Sequence, residues 1–320
     1  MSQPALTTHD LRVGYGSTAV AVVGDAVLEP GTLTVLVGRN GAGKTTTLRT
    51  VAGLLDPVGG SVRVGSERLH GLTARERARR LALVLSDRTT AGGLTAREVV
   101  ALGRYPHTSL TGRLSDADRA AVSHALKRTG ADAYATRPMG ELSSGEQQRV
   151  FIARALAQDG AVVLLDEPTA HLDAPGRSDV FALLRDLART EGRALLAATH
   201  ELDAALASAD QVWALVPSAD DPATLHAGLP ESLGLDGVLD RAFGVNIGYR
   251  SEVERTDAPV LTIEAEGADR FWVEHLARRL GFRAGSGGVV VARVGDGWRI
   301  GEERAIDLAS IAERLAQKKA

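Results

Sequence analysis

The stretch Gly38-Arg39-Asn40-Gly41-Ala42-Gly43-Lys44-Thr45-Thr46 decides the fold of this chain. It matches G-x-x-x-x-G-K-[ST], a turn whose glycines let several backbone N–H groups point at phosphate oxygens. A mostly apolar run at 33–37 precedes it and predicts a buried strand, and apolar residues at helical spacing over 48–55 follow it. Because the motif requires strand, loop and helix in this order, a glycine-rich turn with a chance lysine is the less favoured interpretation.

The loop therefore predicts a site for a nucleoside triphosphate. The N-terminus of the following helix directs its positive dipole end at the same phosphates. We expect Lys44 to reach the β- and γ-phosphates and the Thr45 hydroxyl to hold Mg²⁺.

Composition narrows the class of protein. The 320 residues allow one large domain with a small one, or two medium domains, and 44% of them are hydrophobic, which supports a substantial core. The 37 basic and 40 acidic residues give a net charge of −3, which does not indicate the basic footprint of a nucleic-acid-binding protein. Because there is no cysteine, disulfides, thiolate metal sites and cysteine nucleophiles are excluded.

Signals for membrane targeting are not expected in this sequence. Residues 1–10 lack the cationic start and apolar middle of a signal peptide. No stretch approaches the roughly 18 uninterrupted apolar residues that a membrane-spanning helix needs.

Hydrophobic periodicity divides the chain into alternating strands and helices. The apolar run 161–165, a helix over 179–190 and the strand 195–198 predict a parallel βαβ unit. The other elements predicted before the tail are strands at 5–13, 18–28, 61–64, 81–85 and 223–227 and helices at 74–80, 95–103, 116–129, 144–157 and 230–243.

The tail follows a predicted linker at 253–259, and its succession of strand and helix patterns is typical of a small domain. Its pattern predicts a compact α+β unit of about 60 residues, near the lower size limit for independent stability. Phe271, Trp272 and Trp298 are expected in its core and not in a ligand site. Its predicted elements are strands at 260–263, 289–291 and 298–300 and helices at 273–280 and 308–315.

Two acids directly follow the apolar strand 161–165. A carboxylate at the carboxyl end of a parallel strand faces the ligand crevice, so Asp166 can hold Mg²⁺ through a water and Glu167 can take the proton of an attacking water. A base in that position contributes about 10²–10⁴-fold to the rate. The alternative, a pair of helix caps, is less favoured because the chain already carries a phosphate loop.

Two further features are ambiguous by local chemistry. Leu142-Ser143-Ser144-Gly145-Glu146 opens a helix that Ser143 is expected to cap. Such a helix start can bind an anion, although a plain cap is favoured when nothing else is considered. Tyr15 lies on a turn ahead of the phosphate loop, where it can stack on a nucleotide base or be an ordinary half-buried tyrosine at a strand end.

Taken together, these motifs resemble the ATPase subunits of ABC transporters over residues 5–245. GRNGAGKTT is similar to their Walker A loop, LSSGE at 142–146 to the LSGGQ signature, and VVLLDEP at 162–168 to Walker B with the catalytic glutamate. Ala170-His171-Leu172-Asp173 is similar to the D-loop, and Thr199-His200 to the switch histidine.

The resemblance implies an α/β fold of the P-loop NTPase, ABC ATPase type over residues 1–250. In that fold a mixed sheet core carries an antiparallel β subdomain and a helical subdomain, here at about 86–157. Residues 258–320 are then a small C-terminal accessory α+β domain. Tyr15 falls where the family stacks an aromatic ring on adenine.

The resemblance also implies a mechanism with ATP and Mg²⁺. Two subunits form a head-to-tail homodimer, and each ATP lies between the phosphate loop of one subunit and the signature residues of the other. His200 acts with Glu167 on the γ-phosphate and the attacking water. The signature residues that touch ATP are Ser143, Ser144, Gly145 and Glu146.

Four segments narrow the resemblance to importers of iron-siderophore, haem or cobalamin. They are residues 81–85, 101–106, 112–115 and 242–245. The narrower resemblance implies a peripheral protein on the cytoplasmic face of the cell (inner) membrane. Its partners are membrane-spanning permease subunits and, indirectly, a substrate-binding lipoprotein, with no nucleic acid.

The sequence departs from the family pattern in the signature and in the Q-loop. Ser144 and Glu146 replace the usual Gly and Gln, and Glu146 adds negative charge near a polyanion. Ser86 stands where the family has a glutamine that reaches Mg²⁺ and the water. Since serine is too short to do the same without a bridging water, we expect slower hydrolysis and altered coupling.

Two competing classes remain beside the importer. A non-transport ATPase of the same superfamily, acting on nucleic acid or ribosomes, carries long coiled coils or two cassettes, whereas this sequence shows one cassette and no heptad run. A kinase or GTPase with a similar phosphate loop lacks the LSSGE helix, the AHLD segment and His200.

Overall fold

The computed structural model describes residues 3–85, 93–109, 112–244 and 259–319. Within them, an eleven-stranded sheet and a five-stranded sheet carry the helices. The strands of the larger sheet are β1 (Leu6–Tyr15), β2 (Thr18–Gly24), β3 (Val27–Leu28), β4 (Leu33–Val37), β5 (Gly59–Val64), β6 (Glu67–Arg68), β7 (Leu81–Val84), β8 (Val162–Asp166), β9 (Ala194–Ala198), β10 (Gln211–Val216) and β11 (Ala223–Gly228).

The helices before the tail alternate with these strands. They are α1 (Lys44–Val51), α2 (Ala74–Arg80), α3 (Ala96–Ala101), α4 (Asp116–Thr129), α5 (Ser144–Ala157), α6 (Ala174–Glu191), α7 (Leu202–Ser208), α8 (Pro230–Leu235) and α9 (Val238–Phe243). None of the helices in the described ranges combines the length and the apolar character that crossing a membrane requires.

The larger sheet is mixed, as the sequence predicted. Strands β10, β4, β9, β8 and β7 are parallel neighbours in that order, while β1, β2, β5 and β6 pair antiparallel. Every residue of β4, β8 and β9 is buried, since helices cover both faces of the parallel half. The predicted βαβ unit is present as β8, α6 and β9.

Helices α3, α4 and α5 pack against one another beside the parallel half. Arg104, in a 3₁₀ turn after α3, fixes them through two hydrogen bonds. Its Nε donates to Asp118 Oδ1 at 2.8 Å, and its Nη1 donates to the carbonyl of Ala157 at 2.8 Å. This arginine belongs to the segment 101–106 that helped to narrow the resemblance, and here it is a structural residue.

The prediction of one helix over 230–243 is wrong. Gly237 adopts a left-handed φ of 64° and ends the helical geometry, so α8 and α9 are separate. Helix α6 also begins earlier than predicted. The Asp173 side chain caps its N-terminus by accepting from the amide of Gly176 at 3.0 Å, and Pro175 fits the first turn, where no hydrogen bond from its nitrogen is needed.

The C-terminal unit is a five-stranded sheet with two helices. Its buried side chains include Trp272 and Trp298, as the sequence predicted, and the Phe271 ring packs edge-on against Trp272 at 5.0 Å. The elements are β12 (Val260–Glu264), α10 (Gly267–Arg279), β13 (Arg283–Ala284), β14 (Val289–Val294), β15 (Gly297–Ile300), β16 (Glu303–Ala305) and α11 (Leu308–Lys319), with strand order β13-β12-β14-β15-β16.

Helix α10 of this unit packs on α8 through a contact that the sequence did not predict. The indole of Trp272 lies over Gly234 so closely that a Cβ there would stand 1.9 Å from Cζ2. Beside it, the fully buried Glu231 accepts from Arg279 Nε at 2.8 Å and lies 3.0 Å from His275 Nδ1. The two units are therefore joined by apolar packing and a buried ion pair.

Candidate active site

The phosphate loop 38–43 connects the buried end of β4 to the start of α1. Gly41 and Gly43 have φ values of 83° and 96°, which residues with a Cβ rarely adopt. Gly43 precedes the first helical residue, so the backbone turns sharply into the helix at that point. The loop therefore has the backbone shape that the motif predicts.

The rest of the loop is anchored to its surroundings. Arg39 and Asn40 are exposed, and Ala42 is buried. The amide of Arg39 donates to the carbonyl of Ala242 at 3.2 Å, which attaches the loop to α9. Ala242 of α9 thus supports the phosphate loop through this hydrogen bond.

Lys44 is buried at the start of α1, and its ammonium group turns back toward the loop. Nζ donates to the carbonyls of Gly38 at 2.8 Å and Arg39 at 3.3 Å. Burial lowers the pKa of Lys44, and the nearby carboxylates of Glu167 and Asp166 oppose this effect. The ammonium group is thus held at the loop, beside the two acids that follow β8.

Thr45 and Asp166 form the oxygen pair in which the sequence places Mg²⁺. The Thr45 hydroxyl donates to Asp166 Oδ1 at 3.4 Å. Burial, and next the charge of Glu167, raise the pKa of Asp166, while Thr45 and two basic neighbours lower it. Hydroxyl and carboxylate oxygens suit Mg²⁺, which takes few protein ligands and keeps phosphate and water oxygens. The described residues contain no cluster of three or more acidic, histidine or cysteine side chains fit to hold a metal.

Glu167 and His200 lie at the ends of neighbouring parallel strands. Glu167 Oε2 is 2.9 Å from His200 Nδ1, and the amide of Glu167 donates to the carbonyl of Ala198 at 2.9 Å. Glu167 has a φ of 49°, a conformation uncommon for a residue with a Cβ. Backbone strain of this kind concentrates at functional sites, which fits the position predicted for the base.

Tyr15 ends β1 beside the phosphate loop. Its side chain is exposed, and its hydroxyl lies 3.4 Å from Thr46 Oγ1. The ring is thus available at the surface next to the start of α1, although its contact with a base stays a prediction.

The signature residues form the N-terminus of α5. Ser143 caps the helix, as predicted, by accepting from the amide of Glu146 at 3.3 Å. In return, Glu146 Oε2 accepts from the backbone and hydroxyl of Ser143, each at 2.8 Å, and Arg137 stands 3.5 Å from its other oxygen. The backbone hydrogen bond from Ser143 is the main cause of the lowered pKa of Glu146. Glu146 therefore completes a capping box with Ser143, a role that glutamine also fills.

The signature and the D-loop touch within one chain. The hydroxyl of Ser144 donates to the carbonyl of His171 at 3.3 Å, and Gly145 faces Leu172. His171 has a φ of 65°, which marks a second strained position in the site. Among the described residues, no side-chain hydrogen bond of Ser143, Ser144 or Glu146 reaches the loop 38–46.

Sequence reasoning missed Arg177 and Glu201. Arg177 Nη1 lies 2.6 Å from Glu201 Oε2, and its Nε donates to the carbonyl of Leu172 at 2.9 Å. Glu201 Oε1 is 3.5 Å from His200 Nε2. The one signal in the sequence was that Arg177 and Glu201 closely follow the D-loop and the switch histidine. Ser86 lies outside the described residues, as do residues 87–92 of the predicted helical subdomain.

A groove of about 440 Å³ opens beside α5 and the end of β7. Its walls come from α2, β7 and α5 and from the residues after α1, and they are mostly apolar with two arginines. Burial lowers the pKa of one of them, Arg154. The lining includes Leu54, Arg77, Leu83, Leu85, Phe151 and Arg154.

Comparisons with known proteins identify the family of this chain. Residues 25–170 match the family described as ABC transporter. The achromobactin transport ATP-binding protein CbrD of Dickeya dadantii is 40% identical over 211 residues, which cover 66% of this chain and 78% of that protein. The cobalamin import ATP-binding protein BtuD of Halobacterium salinarum is 42% identical over 247 residues, 77% of this chain but 61% of that protein, so the chain spans less than two thirds of that relative.

A solved structure has the same architecture. That of cbiO1 from Clostridium perfringens, described as part of the ABC transporter complex cbiONQ, aligns with a TM-score of 0.65 at 25% identity. The alignment covers 75% of this chain and 94% of that one.

A glycine-rich loop between β4 and α1, with acids at the end of β8, defines a P-loop nucleoside triphosphatase. The chain belongs to the ABC transporter family, as one of its ATP-binding subunits. It binds ATP and is an ATPase.

Proposed function

We propose that this ATPase drives an importer that takes up a metal chelate, of the iron-siderophore, haem or cobalamin kind, through a partner permease. One observation carries the proposal: a site with Lys44, Asp166, Glu167 and His200 assembled occurs in a chain 40–42% identical to ATP-binding proteins of achromobactin transport and cobalamin import. The subunit works on the cytoplasmic face of the membrane, and a substrate-binding lipoprotein delivers the chelate to the permease.

The residues of this chain have separate tasks in hydrolysis. The backbone amides of the loop and Lys44 hold the phosphates, and Tyr15 stacks on adenine. Glu167 accepts the proton of the attacking water, and His200, held at 2.9 Å from Glu167, contacts the γ-phosphate and fixes that water. These tasks fit phosphoryl transfer, which needs mainly positioning and charge stabilisation from the protein.

Mg²⁺ belongs at the oxygen pair of Thr45 and Asp166, which stand 3.4 Å apart. The ion would neutralise charge on the phosphate oxygens as the bond to the leaving group breaks. Asp166 is close enough to Lys44 and Glu167 for their charges to affect its pKa, so cation, base and metal ligand share one crevice.

The active unit is a homodimer with two composite sites. Within the chain, Ser143 and Glu146 cap α5 and Ser144 contacts the D-loop, which supports an arrangement in which a second chain supplies the signature to each phosphate loop. The exposed start of α5 is suited to this task, because its N–H groups and dipole favour an anion.

The groove beside α5 is where the permease docks. Its apolar walls and its arginines fit an amphipathic segment that carries a carboxylate. A carboxylate beside Arg154 would restore part of the solvation that burial removes. The lining of the groove includes Leu85, which directly precedes the predicted Q-loop position in the sequence.

The test is reconstitution with the permease encoded next to this chain. Metal chelates are screened for stimulation of ATP hydrolysis by the complex in liposomes with the matching binding protein. We expect stimulation and uptake of one chelate class. Stimulation by nucleic acid or ribosomes, with no response to any chelate, would replace this proposal by the non-transport alternative. A Leu83→Glu variant should lose association with the permease while it retains ATP binding, and Leu225→Glu, outside the groove, serves as the control.

A further inference from the structure

The guanidinium of Arg177 connects the D-loop to Glu201 and, through Glu201, to His200. Arg177 lies one turn into α6 and is partly buried, with 36% of its side chain exposed. Its Nε donates to the carbonyl of Leu172 in the D-loop at 2.9 Å, and its Nη1 lies 2.6 Å from Glu201 Oε2. The planar fork of arginine lets both bonds form at once, which a lysine ammonium on a single stem does less well.

Glu201 continues the chain of contacts to the reacting end of the site. Its second oxygen, Oε1, is 3.5 Å from His200 Nε2, while His200 Nδ1 is 2.9 Å from Glu167 Oε2. His200 is thus flanked by two carboxylates, one of which is neutralised by Arg177. The amide of Glu201 also donates to Thr199 Oγ1 at 3.0 Å, so the backbone of this segment is fixed while the carboxylate depends on Arg177.

We propose that Arg177 is a positioning residue for ATP hydrolysis: it holds Glu201, and through it His200, in register with the D-loop. Because Leu172 and Glu201 share this guanidinium, a shift of the D-loop displaces Glu201 and changes how His200 faces Glu167. Arg177 touches none of the reacting atoms. The inference rests on the roles proposed above for Glu167 and His200.

The geometry predicts how substitutions divide between binding and turnover. Loss of Arg177 leaves the loop 38–46 and its contacts intact, so ATP affinity stays the same. His200 then faces Glu201 without its counter-charge, and the pair with Glu167 is no longer held in one orientation. Because small errors of placement are costly in such sites, kcat of Arg177→Ala is expected to fall on the order of 10-fold.

Steady-state ATPase assays on the full chain test this. Arg177→Ala and Glu201→Gln should each lower kcat with KM for ATP unchanged, and Arg177→Lys should recover part of the rate. The double variant should be no slower than the slower single variant, since both remove the same contact. Arg189→Ala is the matched control, because Arg189 lies on the same helix and pairs with Asp210 at 3.0 Å, away from His200.

Several outcomes would overturn the inference. An unchanged kcat in Arg177→Ala, a proportional rise of KM, no recovery with lysine, or losses that multiply in the double variant each exclude a positioning role. If Arg177→Ala does not fold, judged by its melting temperature, Arg177→Gln and Arg177→Lys carry the test. Glu167→Gln, assayed in parallel, separates the two proposals: if it is inactive while Arg177→Ala has full rate, only the role of Arg177 is rejected.

Discussion

His200 Nδ1 lies 2.9 Å from Glu167 Oε2, although the two residues are 33 positions apart in the chain. They meet because β8 and β9 are parallel neighbours, with Asp166 opposite Ala198, so the residues after each strand emerge at the same edge. The left-handed φ of Glu167 directs its carboxylate at the imidazole. The register of β8 and β9 thus brings the carboxylate of Glu167 next to the imidazole of His200.

Replacing Glu167 by Gln should keep ATP binding and abolish turnover. The amide retains the size of the carboxylate but cannot accept a proton from water, so a loss of about 10²–10⁴-fold is expected. The variant should also accumulate as a dimer in ATP and Mg²⁺, since hydrolysis no longer releases the halves. ATPase rate and size-exclusion profile measure both effects. Glu29→Gln, an exposed acid away from the site, is the control. Hydrolysis at full rate by Glu167→Gln would show that Glu167 is not the general base.

A mixture of two inactive variants should recover activity if the sites are composite. Lys44→Ala removes the phosphate cation, and Ser143→Arg blocks the signature. In a two-fold, head-to-tail dimer the phosphate loop of each chain faces the signature of the other, so random mixing rebuilds about a quarter of the sites. ATP occlusion in the mixture is the measurement. Mixing Lys44→Ala with the Lys44→Ala/Ser143→Arg double variant rebuilds none, and equal values in the two mixtures would contradict the trans arrangement.

The contact between α8 and α10 should make stability depend on pH. Burial raises the pKa of Glu231, but His275 and Arg279 outweigh it and lower the pKa to about 2. Since this value lies below the ordinary 4.5, the stabilisation is complete above about pH 4.5 and is lost as pH falls toward 2. Removing one partner of a buried ion pair costs roughly 3–5 kcal/mol, so Glu231→Gln should be strongly destabilised at pH 7.

Urea unfolding at pH 7 and pH 4 measures this difference. The free-energy gap between wild type and Glu231→Gln should narrow by about 1 kcal/mol at pH 4, because part of the wild-type stabilisation is lost there. Glu264→Gln, an exposed acid of the C-terminal unit, should change stability by less than about 0.5 kcal/mol at either pH. An equal gap at both pH values would show that folding does not lower the pKa of Glu231.

A chain that ends at Thr256 should still bind ATP, since every nucleotide motif lies before residue 201. We propose that residues 258–320 are a separable unit docked on α8. Its removal uncovers Glu231 and Gly234, so the remaining domain should melt several degrees lower but cooperatively. In the full chain, Gly234→Ala should act in the same direction because its Cβ meets the Trp272 ring. Gly71→Ala is the control, because its Cβ meets open space and Gly71 has no positive φ. Loss of cooperative melting on truncation would mean that the tail completes the main core.

Ser86→Gln should raise the basal ATPase rate and weaken stimulation by the permease. The prediction follows from sequence alone, since serine is two methylenes too short to contact both Mg²⁺ and the water. In the native protein, Ser86 should impair the positioning of the attacking water more than the affinity for ATP. The Ser86→Gln variant should therefore gain mainly in kcat. ATPase assays of the Ser86→Gln variant and the wild type, each with and without permease, measure both effects. Identical basal rate and stimulation in the variant would show that position 86 takes no part.

The sequence by itself determined the nucleotide chemistry. Local patterns specify a phosphate loop, because its glycines, Lys44 and Thr45 are consecutive and their roles depend on a backbone turn of a few residues. The buried strand before Asp166 and the capping serine at 143 are local in the same sense, and both are present. These features need no knowledge of distant contacts.

Only the tertiary structure decided which distant side chains meet. The approach of Arg177 to Glu201, the pairing of Arg279 with Glu231, and the packing of Trp272 on Gly234 depend on strand register and helix packing. Arginine and glutamate are common on solvated helix faces, so no local pattern distinguishes Arg177 or Glu231 from a surface charge. Burial and charge pairing arise from the summed packing of elements far apart in the chain, and for that reason they appeared only in three dimensions.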